Sequence, residues 1–316
     1  MNVLVTSAGN KVPLIKALQV ATKKISLDIK VIGCDLSPLV ITKYFADDFI
    51  TMPSLDELNN ELLLTLCRDN QVDIIIPTRD GELEFFASRR SWLEENGIKI
   101  LISSPDSIKK FQDKLKFYQL CKTKNIDAIP TYESVEDVVS QVIVVKEKIG
   151  AGSIGVALNL TKSEAIAHAE TLQSPIFQPY IKGEEISIDS WCDNTGMLKA
   201  CILRYRNLVV NGESHITTTF RNQEIEDKIE GIINKLEIKG HAVLQAIIDD
   251  GGNIHLIEIN ARFGGASTAS IAAGLDTFYW TLCELDKRRI PDFKRSEADI
   301  TQVRYSQDIL LNDNNF

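Results

Sequence analysis

The sequence has no uninterrupted apolar run approaching the ~18 residues that span a bilayer, so no membrane-crossing segment is expected. It also lacks cysteines at metal or redox spacing. Cys34, Cys67, Cys121, Cys192, Cys201 and Cys283 stand apart, with no CxxC. In a chain of this size that scatter reads as reduced thiols in a cytoplasmic protein, not as a disulfide frame or a zinc site. The basic and then apolar start of a secretion signal is missing, since the chain opens on a strand-like Met1-Asn2-Val3-Leu4-Val5-Thr6. The histidines (His168, His215, His241, His255) show no metal-ligand spacing, and no Ser–His–Asp or Cys–His order marks a nucleophile. Asn10-Lys11-Val12 departs from a GxGxxG fingerprint, which argues against a dinucleotide site. Positive charge is in deficit. With 35 Lys and Arg against 44 Asp and Glu, the net charge of −9 argues against a broad nucleic-acid surface, and any phosphate site must be local.

What is present is a globular composition, 44% apolar and 25% charged, which excludes disorder as the dominant state. A length of 316 residues sets a prior near two domains. Residues 3–5, 31–35, 74–77 and 98–102 read as short strands, and 14–20, 55–68 and 83–93 as helices. That alternation predicts a parallel sheet with crossover helices. Ser103-Ser104-Pro105 reads as a boundary. Beyond it the spacing predicts a helix over 108–124, a strand over 142–145, a glycine loop, and a helix over 163–172 with Ser163 as N-cap. From Pro175 strands dominate, interrupted by a helix over 224–236. The segment after Pro291 is polar and reads as peripheral.

Three constellations carry candidate chemistry. In the first, the strand Val142-Ile143-Val144-Val145 delivers Lys146 to a loop holding Gly150, Gly152, Ser153 and Gly155. Glycines let backbone N–H groups close on phosphate oxygens, and a lysine adds a point charge. A flexible hairpin with a solvated lysine fits the same residues. In the second, Gln178-Pro179-Tyr180-Ile181 could present backbone groups to a purine edge, with Glu185 accepting from ribose hydroxyls; a strand–turn–strand with surface acids is the alternative. In the third, strand 242–248 and strand 254–260 flank the turn Asp249-Asp250-Gly251-Gly252-Asn253. A hairpin there sets Gln245 opposite Glu258 to within about one residue, and side-chain alternation puts Asn260 on the same face as Glu258. Three oxygen-bearing side chains would converge, the donor type that Mg²⁺ takes. A carboxylate inside such apolar runs should be paired or metal-bound, because burying it bare is costly.

Single residues add weaker signals. Asp113-Lys114 reads as the start of an amphipathic helix, and Lys114 by itself fits a solvated surface position. Arg204 and Arg206 share a strand face and suit a carboxylate or phosphate, or a surface salt bridge. Asp80 and Glu82 follow an apolar strand, where open α/β sheets place ligands, although a turn with a capping acid fits equally.

The order Asp113-Lys114, Ile129-Pro130-Thr131, Val145-Lys146 with its glycine loop, Gln178 to Glu185, Gln245, and Glu258-Ile259-Asn260-Ala261-Arg262 resembles the ATP-grasp superfamily. It looks most like carboxylate–amine ligases similar to single modules of the carbamoyl-phosphate synthetase large subunit. The resemblance covers roughly residues 1–290. It implies an α/β plus α+β fold: a parallel-sheet pre-ATP-grasp domain (1–105), a small lobe with the glycine flap (106–179), a large lobe with the metal site (180–290), and a tail (291–316). It implies ATP with Mg²⁺, or Mn²⁺ in its place. Lys114 and Lys146 would contact the phosphates under Gly150, Gly152, Ser153 and Gly155. Gln178, Tyr180 and Ile181 would meet adenine, and Glu185 ribose. Gln245, Glu258 and Asn260 would hold the metal, and Arg262 would meet the transferred phosphate. Asp80, Glu82, Arg204 and Arg206 are the candidates for substrate contacts. Two departures stand out: Glu147 where proline often follows the lysine, and Gln178 where glutamate is common.

The implied activity is activation of a small-molecule carboxylate as an acyl phosphate for attack by an amine. Phosphorylation of bicarbonate or carbamate, or an ATP-binding module without chemistry, are the alternatives. The expected protein is cytoplasmic, without nucleic-acid or membrane partners, and a homodimer is compatible with it.

Overall fold

The computed structural model describes residues 1–311. Its first layer is a parallel sheet in the order β3-β2-β1-β4, built from β1 (Asn2–Thr6), β2 (Val31–Asp35), β3 (Asp48–Thr51) and β4 (Val72–Pro77). Helix α1 (Val12–Lys23) joins β1 to β2, and α2 (Asn60–Asp69) precedes β4. Two short helices, α3 (Asp80–Ser88) and α4 (Arg90–Glu95), replace the single helix expected over 83–93. The strand expected over 98–102 does not form. Lys99 makes one parallel bridge to Ile74, although Ile98, Ile100 and Ile102 are buried with strand-like alternation.

The stretch expected as one helix over 108–124 is divided. Helix α5 (Pro105–Gln112) ends at Asp113, whose extended backbone and carboxylate cap α6 (Lys114–Thr123) by accepting from Leu115 and Lys116 N–H. A three-stranded antiparallel sheet follows, in the order β6-β5-β7, from β5 (Ile143–Glu147), β6 (Ala157–Leu160) and β7 (Pro175–Pro179). Its helix α7 (Lys162–Ala169) is capped by Thr161 rather than Ser163. Thr161 and Glu164 satisfy each other's backbone N–H groups, a reciprocal arrangement that Ser163 is one turn position too late to make.

The largest sheet is antiparallel, in the order β12-β11-β8-β9-β10-β13. It comprises β8 (Gly183–Cys192), β9 (Leu198–Val210), β10 (Glu213–Phe220), β11 (Gly240–Asp249), β12 (Ile254–Asn260) and β13 (Thr301–Val303). Helix α8 (Gln223–Ile233) covers one face through Ile225, Ile229 and Ile233. On the other side of the chain's fold, α9 (Ser267–Ala272) leads to α10 (Thr277–Leu285), which returns to the first sheet, where Phe278 and Leu282 join Leu14 and Leu18 of α1. The segment after Pro291, expected to be peripheral, has no buried residue among its described residues, and it adds β13 at the edge of the sheet, pairing with β10 through Ile216↔Val303 and Thr218↔Thr301. Among the described residues, no helix is long and apolar enough to cross a membrane.

Candidate active site

A cavity of about 780 Å³ separates the three-stranded sheet from one face of the large sheet. Lys146 of β5 and Gln178 of β7 reach it from one side. Glu185, Ser187, Gln245, Glu258 and Asn260 reach it from the other. The register decides which side chains meet. Glu258, Gln245, Ser187 and Arg204 lie directly across from one another on β12, β11, β8 and β9, so they form one row on one face. Near the turn, Ala246 pairs with Leu256, whereas Gln245 pairs with Glu258, so Ile257 is an extra residue. Without this bulge Gln245 would oppose Ile257 and the carboxylate would turn to the far face.

Lys114, first residue of α6, is buried and donates from Nζ to Gly150 O at 3.1 Å, with Glu258 Oε2 at 4.0 Å. Lys146 is also buried. Burial pulls its pKa down to about 8; Glu258 and Glu185 oppose that pull and Lys114 adds to it. Lys114, Lys146 and Arg206 outnumber the carboxylates Glu258 and Glu185 here, which makes a local positive centre in an acidic chain. Glu258 Oε1 accepts from Asn260 Nδ2 at 3.2 Å, and Asn260 Oδ1 accepts from Arg262 Nη2 at 3.2 Å. Arg262 is held in turn by Asp80 Oδ2, at 3.0 Å from Nε and 2.5 Å from Nη2. A continuous polar chain therefore runs from the first residue of α3 through the end of β12 to the lysines.

The loop after Lys146 takes left-handed turns at Gly152 (φ 69°), Ser153 (φ 56°) and Gly155 (φ 71°). Its tip lies on the β9–β10 turn. A Cβ on Gly212 would meet the Gly152 carbonyl carbon at 2.7 Å and Ser153 Oγ at 2.9 Å. Glu147, at the position where proline is often found, accepts from the N–H groups of Gln173 and Ser174 at 2.7 and 2.9 Å, which fastens the turn before β7. Gln178 is buried and donates to Thr131 Oγ1 at 2.7 Å. Tyr180 N–H bonds Val142 O, while the Ile181 N–H has no acceptor among the described residues. Val144, Ile129 and Ile257 give this end of the cavity apolar walls.

The remaining expected residues fall differently. Glu185 lines the cavity and sits 3.0 Å from Arg206 Nε. Arg206 also donates to Gly212 O at 3.0 Å, so it braces the β9–β10 turn. Arg204 touches the cavity, and of the two readings open to it, substrate contact or salt bridge, it makes a salt bridge, a buried one rather than one at the surface. It is 2% exposed, with Nε 2.5 Å from Asp189 Oδ2 and Nη1 donating to Thr217 Oγ1. A buried guanidinium needs such partners. Burial alone would raise the Asp189 pKa, but Arg204, His241 and Ser267 outweigh it and hold the carboxyl far below the usual range. Glu82 is likewise consumed. Its oxygens accept from Thr6, Ser7, and the N–H groups of Thr78 and Arg79, so it ties the ends of β1 and β4 together, away from the cavity. Asp80 reaches the site only through Arg262. Sequence reasoning missed Glu213, Gly265 and Arg304, all of which line the cavity. The glycine pair after Phe263 was a signal for Gly265; nothing in the polar C-terminal segment marked Arg304.

Among the described residues, no cluster of three His, Cys, Asp or Glu side chains forms a metal site. Gln245, Glu258 and Asn260 are instead one carboxylate and two amides. This set is too weak for an all-protein cage, but it suits Mg²⁺ that keeps water and phosphate oxygens as its other ligands.

This architecture, a parallel-sheet domain followed by two antiparallel sheets that face each other across a cleft, is that of the ATP-grasp fold. Residues 171–309 match the family described as "ATP-grasp in the biosynthetic pathway with Ter operon", and residues 3–101 match the "PylC-like, N-terminal domain". The chain thus carries an ATP-grasp domain behind a PylC-like N-terminal domain. It is 30% identical over 192 residues to the carbamoyl phosphate synthase large chain of Clostridium acetobutylicum, a match covering 54% of this chain and 18% of that one. The chain therefore matches less than a fifth of that relative's length. Among solved structures, the biotin carboxylase domain of Hydrogenobacter thermophilus 2-oxoglutarate carboxylase, in complex with MgADP, ADP and bicarbonate, aligns with a TM-score of 0.73. It is 17% identical, with 92% of this chain and 70% of that one covered. The L-amino acid ligase from Bacillus licheniformis aligns with a TM-score of 0.67 at 17% identity, over 90% of this chain and 74% of that one. At these identities the likeness is one of fold.

Proposed function

We propose that this chain is an ATP-dependent ligase. It activates a small-molecule carboxylate as an acyl phosphate and passes the acyl group to an amine, releasing ADP and phosphate. The observation that carries this reading is the meeting of Lys114, Lys146, Gln245, Glu258 and Asn260 in one cleft under a glycine loop. A carboxylate oxygen would attack the γ-phosphorus, and the bond to ADP would break. Negative charge builds on the transferred group, and the lysines stand where they offset it. Losing the Lys146 ammonium should cost at least ~10-fold, since a charge-assisted contact contributes ~1.5–3 kcal/mol. Gln245, Glu258 and Asn260 would hold Mg²⁺, or Mn²⁺ in its place, which supplies neutralisation of phosphate charge. Adenine would lie between Val144, Ile129 and Ile257, with the free Ile181 N–H and Gln178 at its polar edge. Glu185 would accept from ribose, and Gly150, Gly152, Ser153 and Gly155 would close over the phosphates. Arg262 would exchange Asp80 for the transferred phosphate.

The named relatives, an L-amino acid ligase and a carbamoyl phosphate synthase large chain, are consistent with this class of chemistry. The 30% identity to the latter favours bicarbonate or carbamate phosphorylation as the second reading. The protein would work on small molecules in the cytoplasm, as a monomer or homodimer. The test is trapping with hydroxylamine across a carboxylate panel that includes bicarbonate, with ATP and Mg²⁺. The expected result is acyl hydroxamate with one ADP per product, reduced about 100-fold in Glu258→Ala, the loss typical when a metal site is damaged. AMP as the nucleotide product, or undiminished ADP release by the variant, would overturn it. With ammonia in place of hydroxylamine, carbamoyl phosphate formed from bicarbonate and ammonia, with two ADP released, would select the second reading.

A further inference from the structure

The scheme above leaves one charged pair in the cavity wall without a task. Arg304 follows β13, and its N–H bonds His215 O at 2.9 Å, which sets the side chain beside the start of β10. There Nη1 donates to Glu213 Oε2. Gly265 lies against both groups. A Cβ on it would fall 2.3 Å from Arg304 Nη2 and 3.7 Å from Glu213 Oε2, so only a glycine leaves the guanidinium where it is. Gly265 stands three residues beyond Arg262, and Gly212, next to Glu213, touches the flap at Gly152. The pair thus stands between the phosphate end of the cleft and the flap tip. Its side chains remain 28% and 61% exposed. An ion pair this open contributes little to stability, so exchanging it for the charges of a ligand costs little.

We propose that Glu213 and Arg304 form the subsite for a zwitterionic α-amino acid, which serves as the amine substrate. Arg304 takes its carboxylate and Glu213 its ammonium. This rests on the ligase reading and names the class of its amine. A guanidinium beside a carboxylate matches the two opposite charges that an α-amino acid carries on one carbon. A simple amine would leave Arg304 unmatched, and a dicarboxylate would be repelled by Glu213. The reaction then balances as follows. Glu213 takes one proton from the ammonium and hands it to water. The freed nitrogen lone pair forms the bond to the acyl carbon. The acyl C–O bond breaks, with its electrons leaving on phosphate, and the second nitrogen proton departs with that phosphate.

The experiment is thermal unfolding of the full chain with saturating Mg-ADP, titrated with the proteinogenic α-amino acids, their amides and their decarboxylated amines. One or a few amino acids should raise Tm beyond the Mg-ADP shift, while their amides and decarboxylated amines should not. Arg304→Ala and Glu213→Gln should each weaken the apparent amino-acid affinity at least ~10-fold and keep the Mg-ADP shift, which also reports that they fold. If Mg-ADP shifts Tm and no amino acid does, or if the amino-acid response survives both substitutions, the subsite is wrong. If Mg-ADP itself produces no shift in the wild type, the ligase reading fails and the subsite with it.

Discussion

Lys146 brings a positive charge to a place that water barely reaches, and that has a consequence in pH. An unperturbed lysine would stay protonated to about 10.5; burial lowers Lys146 to about 8, with Glu258 of β12, Lys114 of α6 and Glu185 of β8 as its charged neighbours. Below that value the ammonium attracts phosphate; above it the amine is neutral and does not. Bound nucleotide would raise the pKa again, so the effect belongs to the free enzyme. The expected outcome is that kcat/KM for ATP falls as pH rises through about 8 while kcat holds, and that Lys146→Arg removes the decline. A flat wild-type profile across that range would contradict it. At this scale the sequence was informative wherever a polar residue interrupts an apolar strand, as Lys146 and Glu258 do. For Arg204 and Glu82 it offered a salt bridge and a capping acid among the readings, but not the partners Asp189, Thr6 and Ser7, which are distant in sequence.

Among the elements, the glycine loop and the β9–β10 hairpin act as a pair. Gly212 has φ 76°, and its missing Cβ leaves space for the Gly152 backbone. Gly212→Ala should displace the loop tip, because backbone at 2.7 Å cannot give way as a side-chain end can. The expected result is a several-fold rise in KM for ATP with unchanged secondary structure by circular dichroism. An unaltered KM would mean that the loop closes without the hairpin. The β11–β12 hairpin was legible because a glycine turn separates two apolar runs; the bulge at Ile257, which settles the register, was not. Within the stripe over 108–124, Asp113-Lys114 was legible as a helix start, but not that Asp113 also stops the helix before it. That break places Lys114 beside Gly150. Ile98, Ile100 and Ile102 alternate as a strand would. The edge of β4 takes up only Lys99, through its N–H to Asp73 O and its carbonyl from Ile75 N.

In the whole molecule, one apolar core runs from Leu4, Ile32 and Phe86 of the first domain through Ile108 and Phe117 to Ile186, Leu244 and Leu256 of the large sheet. The first domain is thereby fixed against the face of the large sheet opposite Gln245 and Glu258, and Asp80 can hold Arg262 across their junction. The three-stranded sheet has its own small core of Ile143, Val145, Ala165 and Phe177. It meets the rest chiefly across the cleft, the arrangement expected of a lobe that closes on a ligand. Alternating strands and helices made the first domain legible. The long-range return of β13 and α10 was not, because nothing local records which sheet edge a three-residue strand will join. The account as a whole stands on Gln245, Glu258 and Asn260 acting with Lys114 and Lys146 on a metal-bound nucleotide, and calorimetric titration of ADP with and without Mg²⁺ tests this most directly. Wild type should bind ADP far more tightly when Mg²⁺ is present, and Glu258→Ala should lose that dependence. Equal binding with and without the metal in wild type, or an undiminished metal effect in the variant, would contradict it.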